Sequence, residues 1–291
     1  MPELPEVETV RRGLVTRIVK KKVASVSFDW PKGFPNSPLD VESFLIGSVV
    51  TNVSRRAKVL SIDLDTEYTL VIHLKMTGQL VFRSPNDNFG AGHPNGSLVG
   101  DLPDKSTRVT IKFSDNSTLY FNDQRKFGWI RLLPTTEVPK LDFFKKLGPE
   151  PLPNNFTSSI FASRLERRKN SNIKSVLLDQ TVVAGVGNIY ADESLWGAKI
   201  NPSTLVRNLS KPKMNNLFTQ LRYVLNLAIE KGGSTNSNYV NIDGKRGSYM
   251  DFARVFRREG LACPRCQTTI QKTRVAGRGT HLCPNCQRLV K

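Results

Sequence analysis

Leu4, Val7, Val10, Leu14 and Ile18 follow one another at spacings of 3, 3, 4 and 4. That spacing lines them along one face and predicts an amphipathic helix at the start of the chain. Glu3, Glu6 and Glu8 crowd its first turn, Pro5 suits an early helical position, and Arg11, Arg12 and Arg17 follow, the polarity that a helix dipole favours. The period then drops to two. Leu60, Ile62 and Leu64, then Leu70, Ile72 and Leu74, then Val109, Ile111 and Phe113, and finally Leu119 and Phe121 alternate with polar or β-branched residues. These segments predict half-buried antiparallel strands. With no helical pattern between them up to Leu133, they point to a sandwich or barrel-like layer packed with the first helix. Between Arg83 and Ser106 the run Ser-Pro-Asn-Asp-Asn-Phe-Gly-Ala-Gly-His-Pro-Asn-Gly is rich in breakers and aperiodic, which predicts a long mobile loop.

Prolines at 134, 139, 149, 151 and 153 mark a linker, after which the helical period returns over 158–169, 171–179, 188–197 and 211–231. In the last of these, Met214, Leu217, Leu221, Val224, Leu225 and Ala228 form the apolar stripe. The expected organisation is a helix-plus-sheet domain over 1–133, a linker over 134–153, a helical domain over 154–252 and a small terminal unit over 253–291. No internal repeat spans the chain.

Composition changes the picture in one respect. Lys and Arg number 43 against 25 Asp and Glu, a net charge of +18 in 291 residues, and an excess of this size faces a polyanion. A hydrophobic content of 38% excludes a wholly disordered chain. No apolar run approaches the length of a membrane span, and the N-terminus is charged from residue 3, unlike a signal peptide, so a soluble, non-secreted protein is expected.

Cys263, Cys266, Cys283 and Cys286 are the only cysteines, in a C-x2-C-x16-C-x2-C pattern. Two such loops place four thiolates on one tetrahedral ion, so one structural zinc ion is expected, with no position open for catalysis. Between the pairs, Lys272, Arg274 and Arg278, with Gly277 and Gly279, would form a cationic hairpin suited to phosphate, or else a merely solvated charged face. The Ala184-Gly-Val-Gly-Asn188 turn leads into a new helix. Its exposed N–H groups and the Asn188 amide would suit an anion, and a plain connection with Asn188 as N-cap fits equally well. Arg125 and Phe127 fall on a turn between strands. There a phenyl ring is either a wedge for an opened base stack or part of the core, and the same holds for Met76.

Taken together, Pro2-Glu-Leu-Pro-Glu-Val-Glu-Thr, His73-Leu-x-Met-x-Gly78, Asp123-x-Arg125-x-Phe127-Gly128, Ala184-Gly-Val-Gly-Asn-Ile-Tyr and the terminal cysteine hairpin closely resemble, in order, the formamidopyrimidine-DNA glycosylases. The resemblance spans almost the whole chain. It implies an α+β, multidomain fold: an N-terminal helix plus two-layer antiparallel β-sandwich, a helical helix-two-turn-helix domain, and a zinc-finger β-hairpin, with DNA in the cleft between. It implies a bifunctional base-excision enzyme that removes oxidised purines, 8-oxoguanine and formamidopyrimidines, and then acts as an abasic-site lyase by β,δ-elimination. It casts Pro2 as nucleophile, Glu3 as proton donor to the sugar ring oxygen, and Glu6 as a supporting carboxylate, with Lys58 beside them. Lys58, His73, Asn188 and Arg278 match DNA-contacting positions, and Met76, Arg125 and Phe127 match the wedge that fills the void. It further implies damaged double-stranded DNA as partner, a monomer with no membrane association, and the cytoplasm of a bacterium.

Three positions depart from the pattern: Ala57 and Gln267 stand where glycine is usual, and Gln124 where proline is usual. The stretch Gly232-Gly-Ser-Thr-Asn-Ser-Asn-Tyr239 resembles the family's flexible loop over the extruded base. Two rival readings stand beside this one. A related endonuclease for oxidised pyrimidines would share Pro2 and Glu3, although the Pro-Glu-Leu-Pro-Glu start argues against it. A non-catalytic DNA-binding protein would need only the charge and the cysteines.

Overall fold

The computed structural model describes residues 1–93, 95–234 and 249–290, which form two compact units. The first contains residues 1–145 and the described residues 231–234. It opens with helix α1 (Leu4–Ile18), followed by strands β1 (Val23–Phe28), β2 (Val50–Arg56), β3 (Val59–Leu64), β4 (Tyr68–His73), β5 (Gly78–Arg83), β6 (Asn88–Gly92), β7 (Thr107–Phe113), β8 (Thr118–Asp123) and β9 (Trp129–Pro134). Two short helical turns, α2 (Pro38–Asp40) and α3 (Asp142–Lys146), lie between β1 and β2 and after β9. The strands make two antiparallel sheets, one in the order β1-β7-β8-β5-β6 and the other β2-β3-β4-β9. All five residues of the α1 stripe are fully buried, and Val7, Val10, Leu14 and Ile18 share one core with the inward faces of both sheets, Leu60, Ile62, Leu80, Phe82 and Phe121 among them. The period-two segments are therefore strands, and the helix packs along them on β2 and β6.

The stretch read as a long mobile loop is built differently. Residues 88–92 form β6, registered against β5 from Arg83↔Asn88 to Gln79↔Gly92. Beyond the strand, the Asp104 carboxylate accepts from Ser97 Oγ at 2.5 Å and from Ser106 N and Oγ at 2.7 and 2.6 Å. Gln79, buried under the strand, donates to Asn95 Oδ1 at 2.6 Å. Breaker residues here shape turns around buried polar anchors, which periodicity does not register. The Phe89 ring lies directly over Gly13 of α1, and Arg17 stacks on that ring at 4.8 Å while its Nε meets Asp87 Oδ2 at 2.8 Å. This stretch is thus fastened to α1, the helix that follows the candidate nucleophile Pro2.

The second unit contains residues 146–230 and 249–290. Helices α4 (Ser158–Glu166), α5 (Ile173–Leu178), α6 (Asn188–Gly197) and α7 (Lys211–Glu230) bury a core that includes Phe161, Leu165, Tyr190, Leu195, Leu217 and Leu221. The C-terminal segment forms the hairpin β10 (Gln271–Val275) and β11 (Arg278–Leu282). Its turn residues Ala276 and Gly277 both have positive φ, 50° and 72°, as a two-residue turn between twisted strands requires. Most of the loop expected over an extruded base, from residue 235 to 248, lies outside the described residues. Among the described residues no helix is long and apolar enough to cross a membrane.

A Cβ on Gly13 would lie 2.0 Å from the Phe89 ring tip, so Gly13→Ala forces Phe89 and its strand off the helix. We expect Gly13→Ala to cost about 1–3 kcal/mol of stability, and Phe89→Ala, destabilising alone, to relieve part of that cost in the double variant. Urea denaturation of the four proteins checks this; additive losses would disprove the contact.

Candidate nucleic-acid interface and metal centre

Sequence and local geometry converge at the chain start. Pro2 and Glu3 are buried immediately before α1. Glu3 sits at the N-cap in extended conformation, and its N–H donates to Glu6 Oε2 at 2.7 Å, one half of a capping box. Glu6 Oε1 accepts from Ser234 N at 2.7 Å. Gly233, at φ 84°, must be glycine because a Cβ would lie 2.9 Å from that same oxygen. One carboxylate therefore holds both the residue after Pro2 and Ser234.

A second buried carboxylate, Glu8, joins α1 to the β2–β3 turn. It accepts from Arg11, Arg12 and Arg55, with Arg55 Nε at 3.1 Å. Burial alone would raise its pKa, but these guanidinium bonds win and hold it at about 2. Arg55 Nη1 also donates to Ala57 O at 3.0 Å. Ala57 sits at φ 55° in the two-residue turn that presents Lys58, which explains why glycine is usual there.

His73 ends β4 opposite Val59 and is buried. Its Nδ1 accepts from Lys75 N at 2.9 Å, so the neutral ring carries its proton on Nε2. Desolvation, with the charges of Lys75 and Lys58 added, lowers its pKa to about 3. Lys58, His73 and Lys75 are thereby one cluster: two cations and a neutral N–H donor.

The turn after His73 carries Met76 and is tied to the turn that carries Arg125 and Phe127. Asp123, almost fully buried, does the tying. Its Oδ2 accepts from Phe127 N at 2.8 Å and Gly128 N at 2.6 Å, while Oδ1 takes the Thr77 hydroxyl and Arg125 N. Phe127 stands 52% exposed at the tip, with the Arg125 guanidinium 4.7 Å from its ring centre, so the core reading of Phe127 is excluded. Met76 is half-buried. A ring held open to water by three hydrogen bonds from Asp123 to its turn is available for stacking.

In the second unit the structure brings Asn188 and Arg278 together. Asn188 is the first helical residue of α6 and Gly187 the cap, which corrects the N-cap reading. The Asn188 Nδ2 instead donates to Gly279 O at 3.0 Å, next to the exposed Arg278. The same carbonyl accepts from Lys174 Nζ at 3.1 Å. Lys174 and Asp192 form a fully buried ion pair at 2.6 Å; Lys174 also reaches Thr280 Oγ1, and Asp192 Oδ2 accepts from His281 N at 2.9 Å. Next along α6, buried Glu193 accepts from the N–H groups of Arg254, Val255 and Phe256 and from the Tyr249 hydroxyl. Burial pushes its pKa up despite those donors. Sequence reading took Glu8 only as a first-turn acid and Asp123 only as part of a motif, and missed Lys174, Asp192 and Glu193. A charged residue on a helix looks like surface until its partner, here up to 106 residues away, is placed.

The four cysteines are unbridged and their sulfur atoms all lie within 4.8 Å of one another. Cys263–Cys286 is 4.0 Å and Cys266–Cys283 is 3.5 Å. A tetrahedron with zinc–sulfur bonds of about 2.3 Å has edges of about 3.8 Å, so these donors fit one zinc ion and leave no open position. Trp196 packs in the small core beneath them, with Arg265 stacked on it at 3.9 Å.

Comparison with known proteins gives one answer along the chain. Residues 1–130 match the formamidopyrimidine-DNA glycosylase N-terminal domain, 147–239 the formamidopyrimidine-DNA glycosylase H2TH domain, and 260–289 the zinc finger found in FPG and IleRS. Formamidopyrimidine-DNA glycosylase from Pelotomaculum thermopropionicum is 39% identical over 290 residues, covering 99% of this chain and 100% of its own. That from Chloroflexus aurantiacus is 40% identical over 288 residues, with 99% and 98% covered. Among solved structures, Lactococcus lactis Fpg bound to DNA containing N7-benzyl-Fapy-dG superposes with a TM-score of 0.86 at 36% identity, covering 99% of this chain and 100% of that one. The same organism's enzyme bound non-covalently to abasic-site DNA gives 0.85 at 35%, covering 98% and 99%.

His73 makes stability depend on pH in a defined direction. The unfolded imidazole binds a proton near 6.5 and the folded one only near 3, so stability falls as pH drops through that window, by up to about 1.4 kcal/mol per pH unit. Denaturation midpoints between pH 6.5 and 5, above the range of most carboxylates, should slope less in His73→Gln; equal slopes would mean a protonated folded ring. Lys174→Ala leaves Asp192 buried without its cation, and we expect a loss of about 3–5 kcal/mol together with weakened DNA binding. Unchanged melting would show that water replaces the amine.

Proposed function

Because this chain belongs to the formamidopyrimidine-DNA glycosylase family, we propose that it excises oxidised purines, 8-oxoguanine and formamidopyrimidines, from duplex DNA and then cleaves the resulting abasic strand. The observation that carries the proposal is the buried Pro2-Glu3 start, with Glu6 closing the capping box onto Glu3. Removal of Met1 turns the Pro2 nitrogen from an amide into a secondary amine. An unperturbed α-amino group titrates at about 7.7–8.0 and is partly neutral near pH 7. Its lone pair attacks C1′, and the glycosidic bond breaks with its electrons leaving on the base, which takes a proton. Glu3 protonates the ring oxygen as the sugar opens, and the nitrogen becomes a cationic iminium. Glu6 supports Glu3. The iminium acidifies C2′; loss of that proton expels the 3′ phosphate, a second elimination expels the 5′ phosphate, and water releases the sugar fragment and restores the amine.

Binding is assigned to other residues. Lys58, His73, Asn188 and Arg278 take backbone phosphates, the His73 Nε2–H as a neutral donor. Met76, Arg125 and Phe127 occupy the gap left by the extruded nucleotide, at a cost of roughly a few kcal/mol of unstacking. In this reading residues 1–133 hold the chemistry, 154–252 the helical DNA-binding part and 253–291 the zinc finger, and the protein works as a monomer in the bacterial cytoplasm.

The test is borohydride trapping on abasic duplex DNA, with intact N-terminal mass measured on the same preparation. Processed protein should form the adduct, while a Met1-retaining form should bind with unchanged affinity and trap none. Glu3→Gln should bind and turn over poorly. Equal trapping by the Met1-retaining form would move the nucleophile to a lysine, and no trapping by any form would favour the non-catalytic binder.

A further inference from the structure

The end of α4 and the turn after α5 flank a half-open cavity of about 270 Å³ lined by Arg164, Arg167, Arg168, Thr181 and Val182. The three arginines fall at i, i+3 and i+4, on one face of the helix end. Arg164 is half-buried and fixed: Nε donates to Val182 O at 2.8 Å and Nη2 to Thr181 O at 2.6 Å, which leaves Nη1 without a partner among the described residues. Arg168 meets Asp179 Oδ2 at 3.3 Å, among the described residues the one carboxylate paired with the three guanidinium groups, and Arg167 has none among them. Thr181 does not neutralise them, since its N–H and hydroxyl are both turned to Asp179 Oδ1. Cations near a helix C-terminus are ordinary, because they meet its dipole. The dipole does not account for a concave wall on which Arg164 is anchored to another segment and repelled by Arg167. Burial first, and then that repulsion, lower the Arg164 pKa. An anion in the cavity would relieve both.

We propose that this cavity is a phosphate-binding site, separate from the one at Asn188 and Arg278, which takes a backbone phosphate of duplex DNA beyond the lesion. Thr181 and Val182 of its lining belong to the same Asp179–Asn188 segment that leads to Asn188, and the occupant in this proposal is a neighbouring stretch of the same polyanion. The proposal rests on the DNA-repair reading above. The shared chemistry is a phosphate oxygen held by a guanidinium fork, which a free phosphate compound also offers.

The experiment uses full-length processed protein, Arg167→Ala and Arg167→Glu, because Arg167 bonds nothing that holds the fold. Affinity for lesion-bearing duplexes of about 13 and about 30 base pairs is measured across salt concentrations. On the longer duplex Arg167→Ala should flatten the slope of log K against log salt by about 0.9 and weaken low-salt binding roughly three- to tenfold, and Arg167→Glu should do more. The short duplex should show no difference. A shift confined to pyrophosphate, which would raise the melting temperature of the wild type and not of Arg167→Glu, would support the site with free phosphate as its source. Equal effects on both duplex lengths, or no effect of any probe, would overturn it. Borohydride trapping on the short duplex is run alongside: normal trapping with flat Arg167 responses sinks only the cavity, whereas absent trapping sinks the repair reading itself.

Discussion

A carboxylate removed from water is costly unless its oxygens are filled, and this constraint organises the molecule. In a chain with 43 basic and only 25 acidic residues, the buried carboxylates are placed where backbone must be held rather than spread as surface neutralisers. Glu6 holds the N–H groups of Glu3 and Ser234, Asp123 those of Arg125, Phe127 and Gly128, and Glu193 three successive ones at 254–256. Asp192 holds His281 N and the Lys174 ammonium. Each grips a turn that carries a candidate site residue or the approach to the cysteines. These acids fix geometry from inside, while others, Glu42, Glu67, Asp115 and Glu137 among them, stand exposed among the more numerous cations.

What was legible in the sequence follows from this division. The α1 stripe, the alternating strands and the α7 stripe were readable because apolar periodicity directly records a buried face. The cysteines were readable because their spacing is itself a coordination geometry. Phe127 was ambiguous, since nothing local distinguishes a phenyl ring in a core from one held into water, and the deciding bonds come from Asp123. The 84–106 stretch misled because its order comes from Asp104, Gln79 and Arg17, polar side chains whose partners a periodicity argument cannot see. Lys174 was invisible for the same reason, at greater range.

The departures from the family pattern have a physical account in two cases. Ala57 and Gln267 adopt φ of 55° and 62°, in the left-handed region where glycine is free and other residues pay about 1 kcal/mol or more. Both are supported on the spot: Ala57 O receives the Arg55 guanidinium, and Gln267 N donates to Cys263 O at 2.9 Å. The backbone path is kept while the residue that made it easy is not. Nothing in the structure explains Gln124.

The strand β6 also settles where the larger sheet ends. It is short and carries Gly90 and Gly92. Without it the outermost strand would be β5, whose Leu80, Val81 and Phe82 are entirely buried and whose free backbone groups would invite another chain to pair. A version of this protein trimmed to a tight link between β5 and β7 would therefore acquire an adhesive margin along with a hole above Gly13. Shortening the chain there, an apparently harmless economy in a breaker-rich stretch, would be expressed first as self-association in concentrated solution.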